Sequence, residues 1–459
     1  MNDKKISRGR FLSYSAVAGA AGVIGVPAIL SSCGSGGSKS EGGYTPIQSG
    51  AEIYIPDLKR GKAVDGRQIK AGVIGCGGRG SGAALNFLDS ANDVTITAIA
   101  DLFLDKSQIL RESLGKDRGI DIAADQVYNG FDAYKNLIDN ADIDMVIIAT
   151  PTLFHPTHMK YALDNGKHVF VEKPAAVDAV GCRTVLAACK VAESKRLSVV
   201  TGTQYHHSPQ FVESCRRIRQ GMIGDIVSGN CYYNQGAPWY VTRKPGWSDI
   251  EYMIRDFFSW YWLSGDYILD QCIHYIDVFG WITNLKPVSA VGMGARARRT
   301  TGNIYDFITA DLVYEGGVHC NAQSRQIDDC ANNHGTFIFG TKGSWNTQDF
   351  AIRDLDGNIL WQWNDEISKE YPVQDPYTLE HADLVTHIRQ DDPICLADVA
   401  AYSAAMCNMA RESAYSGKEF TYDEFINSDL NYMPEDIKLG PYPGGMPAMR
   451  LPGRPKNDE

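Results

Sequence analysis

Short apolar strands alternate with helices between residues 68 and 203, and this alternation constrains the fold more than any other feature of the sequence. Five strands are predicted, at Ile69–Ile74, Val94–Ala100, Met145–Ala149, Lys167–Val171 and Leu197–Thr201. Strands that alternate with helices form a parallel sheet through right-handed crossovers. The sequence therefore predicts an α/β protein whose first domain, residues 68–203, is a doubly wound parallel sheet.

The pattern changes after residue 204, where strands follow one another with fewer helices. Six strands are predicted, at Ile226–Tyr233, Val288–Arg296, Ile308–Tyr314, Val318–Ser324, Thr336–Gly340 and Gly343–Gln348. Such a run is typical of an antiparallel sheet. We expect residues 204–431 to form a substrate-binding α+β domain with a large, mostly antiparallel sheet. Residues 432–459 are rich in proline and glycine and are predicted to be an extended arm on this subunit or a neighbour.

A glycine-rich turn joins the first strand to the first helix. It consists of Gly75, Cys76, Gly77, Gly78, Arg79 and Gly80, which fits the spacing G-x-G-x-x-G. In this setting the glycines permit a tight turn, close approach of a pyrophosphate and close packing of helix on strand. Asp101 follows at the end of the second strand, where a carboxylate can accept the adenosine-ribose hydroxyls. The motif predicts a Rossmann domain that binds NAD rather than NADP, and Arg79 is a candidate phosphate contact.

The N-terminal segment is predicted to direct export rather than to fold. Basic residues precede an apolar stretch that ends in Leu30-Ser31-Ser32-Cys33, which resembles a lipobox. The resemblance implies a signal peptide over residues 1–33 and lipidation of Cys33, followed by a tether and leader over residues 34–67. We expect a lipid-anchored protein of the bacterial envelope that faces the periplasm and contacts the membrane only through this anchor. Export by the Sec or by the twin-arginine route stays open.

The charge distribution excludes one class of partner. The chain has 44 Lys and Arg against 55 Asp and Glu, a net charge of −11, and no basic block. Nucleic acid is therefore not an expected partner. The cysteines show no paired metal-ligand spacing, and no metal site is predicted.

Three further motifs carry a family resemblance. A strand ends in Glu172-Lys173-Pro174, a later helix contains Asp270 and His274, and Thr150-Pro151-Thr152 stands just before His155. From about Ile69 to Lys418 the sequence resembles the Gfo/Idh/MocA oxidoreductases. The resemblance implies that Thr150, Pro151, His155, Glu172 and Lys173 join the glycine turn in binding the cofactor.

The same resemblance implies catalytic roles. Oxidation of a secondary alcohol moves a hydride to nicotinamide and a proton to a base. The family's roles, carried onto this sequence, make Lys173 and His274 the acid/base pair, with Asp270 assisting. Asp270 and His274 are four residues apart and are predicted to share one helix face.

Candidate substrate residues follow the last predicted strand of the first domain. They are Gln204, His206, Trp239, Arg255 and Trp262, because aromatic faces and polar side chains suit sugar rings. Packing in the domain core is the alternative for the aromatic residues. The stretch around Trp260 also resembles secreted family members of glycan-degrading bacteria, which implies a glycoside substrate.

Three functions follow from these features. The first is an NAD-dependent oxidoreductase that acts on a secondary hydroxyl or keto group of a sugar, glycoside or polyol, with tightly bound cofactor. The second is a glycosidase that resembles the family's NAD-dependent members and uses transient oxidation at C3 followed by elimination. The third is a catalytically inactive sugar-binding lipoprotein. We expect a homo-oligomer in each case.

Overall fold

The computed structural model describes residues 53–453. The predicted signal segment, Cys33 and most of the tether lie outside the described residues. Within residues 53–453, no helix has the length and apolar character needed to cross a membrane.

The first sheet is parallel and has six strands. They are β1 (Ile69–Ile74), β2 (Val94–Asp101), β3 (Val127–Asn129), β4 (Met145–Ile148), β5 (His168–Val171) and β6 (Val199–Thr201). Their order is β3-β2-β1-β4-β5-β6. The chain runs from β1 to the β3 edge and then returns to add β4 on the other side of β1, so the strand order reverses between β1 and β4. In such sheets ligands bind at the carboxyl ends of the strands where the order reverses. The predicted parallel domain is confirmed.

Helices connect these strands and cover both faces of the sheet. They are α1 (Gly78–Ser90), α2 (Leu104–Arg118), α3 (Ala133–Asn140), α4 (His155–Asp164) and α5 (Ala179–Lys195). Strand side chains such as Val73, Ile147 and Phe170 are fully buried between the helical layers. Burial on both faces explains why the central strand β4 is apolar throughout instead of alternating.

The second sheet has nine strands and is mostly antiparallel, as predicted. They are β7 (Ile226–Gln235), β8 (Pro287–Ala295), β9 (Phe307–Tyr314), β10 (Val318–Gln326), β11 (Asn333–Gly340), β12 (Gly343–Asn346), β13 (Ala351–Asp354), β14 (Ile359–Gln362) and β15 (Phe420–Thr421). The order is β14-β13-β12-β11-β7-β10-β9-β8-β15, and only the described pair β7–β10 is parallel. Strands β3, β13, β14 and β15 were not predicted, because they are two to four residues long and too short to show a period.

Eight α-helices are described within residues 204–431. They are α6 (Pro209–Arg219), α7 (Asp249–Arg255), α8 (Tyr261–Ser264), α9 (Ile273–Thr283), α10 (Asp365–Ser368), α11 (Pro376–Gln390), α12 (Ala397–Ser416) and α13 (Tyr422–Ile426). Helix α9 is preceded by a π-helical turn, Ile268–Cys272. Apolar residues of α9 and α12, such as Phe279 and Met406, are fully buried. This packing fixes the start of α9 against the carboxyl ends of the parallel strands.

The C-terminal arm lies on its own subunit in the part that is described. Tyr442 N–H donates to Asp249, and the backbone N–H of Ile250 donates to the Gly440 carbonyl. The arm thus covers α7 of its own subunit, and contact with a neighbouring subunit stays a prediction.

Candidate active site

A cavity of about 740 Å³ lies where the carboxyl ends of the parallel strands meet the second domain. The glycine turn, the ends of β2 and β4 and the Glu172-Lys173 segment line it from the first domain. The second domain contributes the start of α9, part of β7 and the stretch around α7. The predicted site residues that line it are Gly75, Gly77, Gly78, Arg79, Asp101, Thr150, Pro151, Glu172, Lys173, Gln204, Trp239, Arg255, Asp270 and His274.

The glycine turn has three distinct steric requirements. Gly75 has φ +96°, and a side chain there would meet the backbone of Ala149 at 2.6 Å. A Cβ on Gly80 would stand 1.8 Å from the Gly75 carbonyl oxygen, so Gly80 permits helix packing and does not line the cavity. A Cβ on Gly77 or Gly78 would meet nothing within 4 Å. These two glycines therefore keep space open at the N-terminus of α1, where backbone N–H groups and the helix dipole favour phosphate.

Asp101 ends β2 beside this turn. One carboxylate oxygen accepts the N–H of Cys76 at 2.7 Å, and the other accepts the N–H of Phe103 at 2.8 Å. Burial raises the pKa of Asp101, and these two N–H donors and Lys106 act against that rise. An ionised carboxylate has about four acceptor positions, so two remain for ribose hydroxyls.

Arg79 lines the cavity and is held in place by two contacts. Its Nε donates to Glu172 at 2.5 Å, and its guanidinium lies 4.5 Å from the ring centre of Tyr377. Glu380 is fully buried nearby, and burial together with the negative charge of Glu172 raises its pKa well above the ordinary range. Burial also raises the pKa of Glu172, against the charge of Arg79. The structure therefore favours one ionised and one protonated acid in this pair of carboxyl groups.

Lys173 and the start of α9 meet in the cavity. Lys173 Nζ donates to the backbone carbonyl of Asp270 at 2.5 Å, and the Lys173–Pro174 bond is cis. The Asp270 carboxylate accepts from the side chain of Gln271 at 2.6 Å. Asp270 lies in the π-helical turn and His274 in α9, and both side chains line the cavity. Burial and the positive charge of Lys173 keep the pKa of His274 well below its ordinary value, so its imidazole is neutral at physiological pH.

Tyrosines that no sequence motif marks complete this end of the cavity. The ring of Tyr205 is centred 5.6 Å from that of His274, and the ring of Tyr233 stacks on His274 at 6.3 Å. Burial raises the pKa of Tyr233 to about 12, so its hydroxyl stays protonated and can donate a hydrogen bond. Tyr377 reaches the cavity from α11, far along the chain.

Two predicted substrate residues do not line the cavity, and the structure corrects both. Residues Gln204–His207 form a 3-10 helix, in which the His206 side chain is buried. Its Nε2 lies 2.6 Å from Asp277, and its ring stacks on Trp281. Trp262 lies in α8 under the C-terminal arm, is 1% exposed and packs against the ring of Tyr442. Both side chains are therefore part of the core of the second domain.

Two more predicted residues take other positions. His155 is buried outside the cavity, and its ring nitrogens lie 2.8 Å from the Pro174 carbonyl and 2.6 Å from the Thr150 carbonyl. It therefore fixes two loops that line the cofactor site. Arg255 lines the cavity at the end near Asp101, where it is bonded to Asp105, rather than beside Lys173. Trp239 is 51% exposed and contacts Phe257 and Phe258.

Within residues 53–453 the His, Cys, Asp and Glu side chains form no group that could hold a metal ion. The polar groups of the cavity are those of a dinucleotide-binding site. It combines an open glycine turn at a helix N-terminus, a carboxylate at the end of β2, and a lysine and a neutral histidine at the opposite end. These residues fit NAD.

Comparison with family models agrees with this geometry. Residues 69–201 match the NAD-binding Rossmann fold of an oxidoreductase family, and residues 211–346 match the GFO/IDH/MocA C-terminal domain. The chain belongs to the Gfo/Idh/MocA oxidoreductase family, and its first domain is the family's NAD-binding domain. The family and the cofactor class predicted from the sequence are confirmed.

Similar proteins include members with different chemistry. The chain is 28% identical over 232 residues to a glycosyl hydrolase family 109 protein of Solibacter usitatus, covering 48% of this chain and 51% of that protein. It is 25% identical over 256 residues to an inositol 2-dehydrogenase of Salmonella typhimurium, covering 55% and 70%. The match thus spans about half the length of the glycosyl hydrolase relative.

Solved structures share the fold. An aldose-aldose oxidoreductase of Caulobacter crescentus, solved with glycerol, superposes with a TM-score of 0.59 at 19% identity and covers 77% of this chain and 100% of its own. A scyllo-inositol dehydrogenase of Lactobacillus casei, solved with NAD(H) and scyllo-inositol, has the same TM-score and identity, covering 78% and 99%.

We predict that a substitution at Gly77 weakens NADH binding, whereas a substitution at Gly80 lowers stability. Gly77→Ala should weaken NADH binding about tenfold or more with an unchanged melting temperature, because its Cβ enters open space above the helix N-terminus. Gly80→Ala should lower the free energy of unfolding by about 1–3 kcal/mol, because its Cβ collides with Gly75. Fluorescence titration and thermal melting measure the two effects. Parental NADH affinity in Gly77→Ala would contradict the assignment.

We predict that Lys173→Met raises the pKa of His274. Loss of a nearby positive charge makes protonation of the imidazole easier, while burial still holds the pKa below the ordinary 6.5. Titration of the ¹³C-labelled imidazole by NMR measures this. Lys167→Met is the control, since Lys167 also donates to a backbone carbonyl, that of Ile143. An unchanged pKa in Lys173→Met would show that the two groups are not electrostatically coupled.

Proposed function

We propose that this protein is an NAD-dependent oxidoreductase that interconverts a secondary hydroxyl and a keto group of a sugar, glycoside or polyol. The observation that carries the proposal is that Lys173, Asp270 and His274 meet in the same cavity as the glycine turn and Asp101. The inositol 2-dehydrogenase relatives support a polyol or sugar substrate. The polar side chains beside these residues, Gln204, Tyr205, Tyr233 and Gln271, suit a polyhydroxylated ring.

The residues of the first domain would hold the cofactor. Gly77, Gly78 and the N-terminus of α1 would receive the pyrophosphate, and Asp101 the adenosine ribose. Bound NAD supplies the hydride acceptor for the substrate carbon. Thr150 and Pro151 line the cavity between Asp101 and Lys173, and so would flank the dinucleotide.

Lys173 and residues of the second domain would transfer the proton of the substrate hydroxyl. His274 is neutral, so it can accept the proton of the substrate hydroxyl as the carbon is oxidised. Lys173 Nζ donates to the Asp270 carbonyl and has further N–H groups to donate to the substrate oxygen. Asp270 positions the lysine through its backbone and can accept a substrate hydroxyl through its carboxylate. In the reverse direction, the same pair returns the proton to the alkoxide oxygen.

A glycosidase function is the second candidate, and the glycosyl hydrolase family 109 relatives favour it. Oxidation of the C3 hydroxyl to a ketone acidifies the proton on C2. Removal of that proton by a base expels the glycosidic oxygen from C1, water adds to C1 of the resulting enone, and the hydride returns to C3. This cycle needs the same cofactor and the same acid/base residues and consumes only water.

The role of Lys173 can be tested directly. We expect Lys173→Met to lower turnover about 10²–10⁴-fold, the usual contribution of a positioned acid/base, with NADH still bound. His274→Ala should have a similar effect, and the double variant should lose less than the product of the two because both serve one proton path. Steady-state kinetics and NADH fluorescence give the two readouts, with Lys167→Met as control. Parental turnover in Lys173→Met would overturn the proposed mechanism.

The products distinguish the candidate functions. A panel of polyols, aldoses and nitrophenyl glycosides is incubated in D₂O with the NAD-loaded protein. An oxidoreductase should give a ketone or lactone and an equal amount of NADH, or of reduced second substrate. A glycosidase should release nitrophenol and a free sugar with deuterium at C2 and no accumulated NADH. Binding of sugars with neither reaction would support the sugar-binding protein and contradict both proposals.

A further inference from the structure

Arg255 joins the two domains at one end of the cavity. It is the last residue of α7, and its two terminal nitrogens donate to the two carboxylate oxygens of Asp105, each at 3.1 Å. Asp105 lies in the first turn of α2, directly after the β2 end that carries Asp101. The Arg255 side chain lines the cavity and is 14% exposed, whereas Asp105 is 55% exposed. The ion pair therefore lies on the boundary between the cavity and solvent.

The surroundings hold Arg255 in this position. Its Nε donates to Glu251 at 3.0 Å, one turn back on α7. Its guanidinium lies 3.7 Å from the ring centre of Phe103 and 4.9 Å from that of Trp247. The bond from Arg255 also keeps the pKa of Asp105 below its usual value. A two-point arginine–carboxylate contact stacked on aromatic rings is among the stronger ion pairs in proteins.

The cavity beneath this pair has apolar walls from both domains. The walls consist of Leu102, Phe103 and Phe131 from the first domain and Val241, Ile254 and Phe257 from the second. Asp101 is the expected ribose contact in this part of the cavity, so the adenine base of a bound dinucleotide would lie between these walls. The Arg255–Asp105 contact runs from the second domain to the first beside these walls, at the solvent-exposed edge of the cavity.

We propose that the Arg255–Asp105 pair is a gate that retains the dinucleotide, so that the cofactor enters and leaves only when the pair opens. The proposal assigns Arg255 to cofactor retention rather than to the substrate. It rests on NAD binding by the first domain and goes beyond the proposed reaction. A gate that is closed without ligand slows passage in both directions, whereas a side chain that only contacts the bound cofactor slows dissociation alone.

The test measures NADH exchange without any substrate. Full-length protein is loaded with NADH, and dissociation is followed by loss of NADH fluorescence after mixing with excess NAD⁺. Association is followed by mixing nucleotide-free protein with NADH. Asp105→Asn and Arg255→Gln should each raise both rate constants about tenfold. The double variant should be no faster than either single variant, because one contact is lost in all three.

A matched pair serves as the control. Arg118 and Asp89 make a similar two-point contact, at 2.6 and 2.8 Å, but within the first domain and away from the cavity. Asp89→Asn should leave both rate constants at the parental values. Three results would overturn the gate: parental rates in Asp105→Asn, faster dissociation without faster association, or additive effects in the double variant. Since NADH is observed directly, failure of the gate and failure of the proposed reaction remain distinguishable.

Discussion

The hydrogen bond from Lys173 to the backbone carbonyl of Asp270 is the contact on which the site depends. It joins the end of a parallel strand in the first domain to the π-helical turn that begins the central helix of the second. The cavity is formed by both domains, and this bond joins them at the position of Lys173. π-Helical turns are rare and occur frequently at functional sites. Here the turn presents the Asp270 carbonyl to the lysine, while the next turn brings His274 into the same cavity.

Charge below the cavity is balanced within the protein. Arg79 neutralises Glu172, and the buried Glu380 has no hydrogen-bond partner among the described residues. Two carboxyl groups beside one guanidinium favour one ionised and one protonated acid. The charges of the side chains beside the glycine turn therefore nearly cancel. The positive N-terminus of α1 is not neutralised by them and remains available to bind phosphates. The pKa of His274 is lowered in the same environment by burial and by Lys173.

Local patterns predicted much of this architecture. Uniformly apolar strands, the glycine turn and the Glu-Lys-Pro segment gave the parallel domain and the positions of Asp101 and Lys173. The remaining site residues could not be predicted from local patterns. Tyr233 and Tyr377 reach the cavity from a strand and a helix that are distant along the chain and that no motif marks. His206 and Trp262 have the composition of sugar contacts but are directed into the core by a 3-10 helix and by the covering arm. Residue type alone cannot distinguish an aromatic pocket wall from an aromatic core.

The two candidate reactions place the same demand on the protein. Each needs a bound hydride acceptor, a neutral base for a hydroxyl proton and a cation that stabilises the oxygen formed. His274 and Lys173 are placed to supply the last two. A dehydrogenase that exchanges NADH for NAD⁺ in every cycle requires fast passage of the cofactor. A cycle that returns the hydride to the same sugar, or to a second one, does not. In the proposed gate, the contact between Arg255 and Asp105 controls the exchange of the dinucleotide, and it lies away from Lys173 and His274. The rate of cofactor exchange, more than the identity of the acid/base residues, therefore separates the reactions this site can sustain.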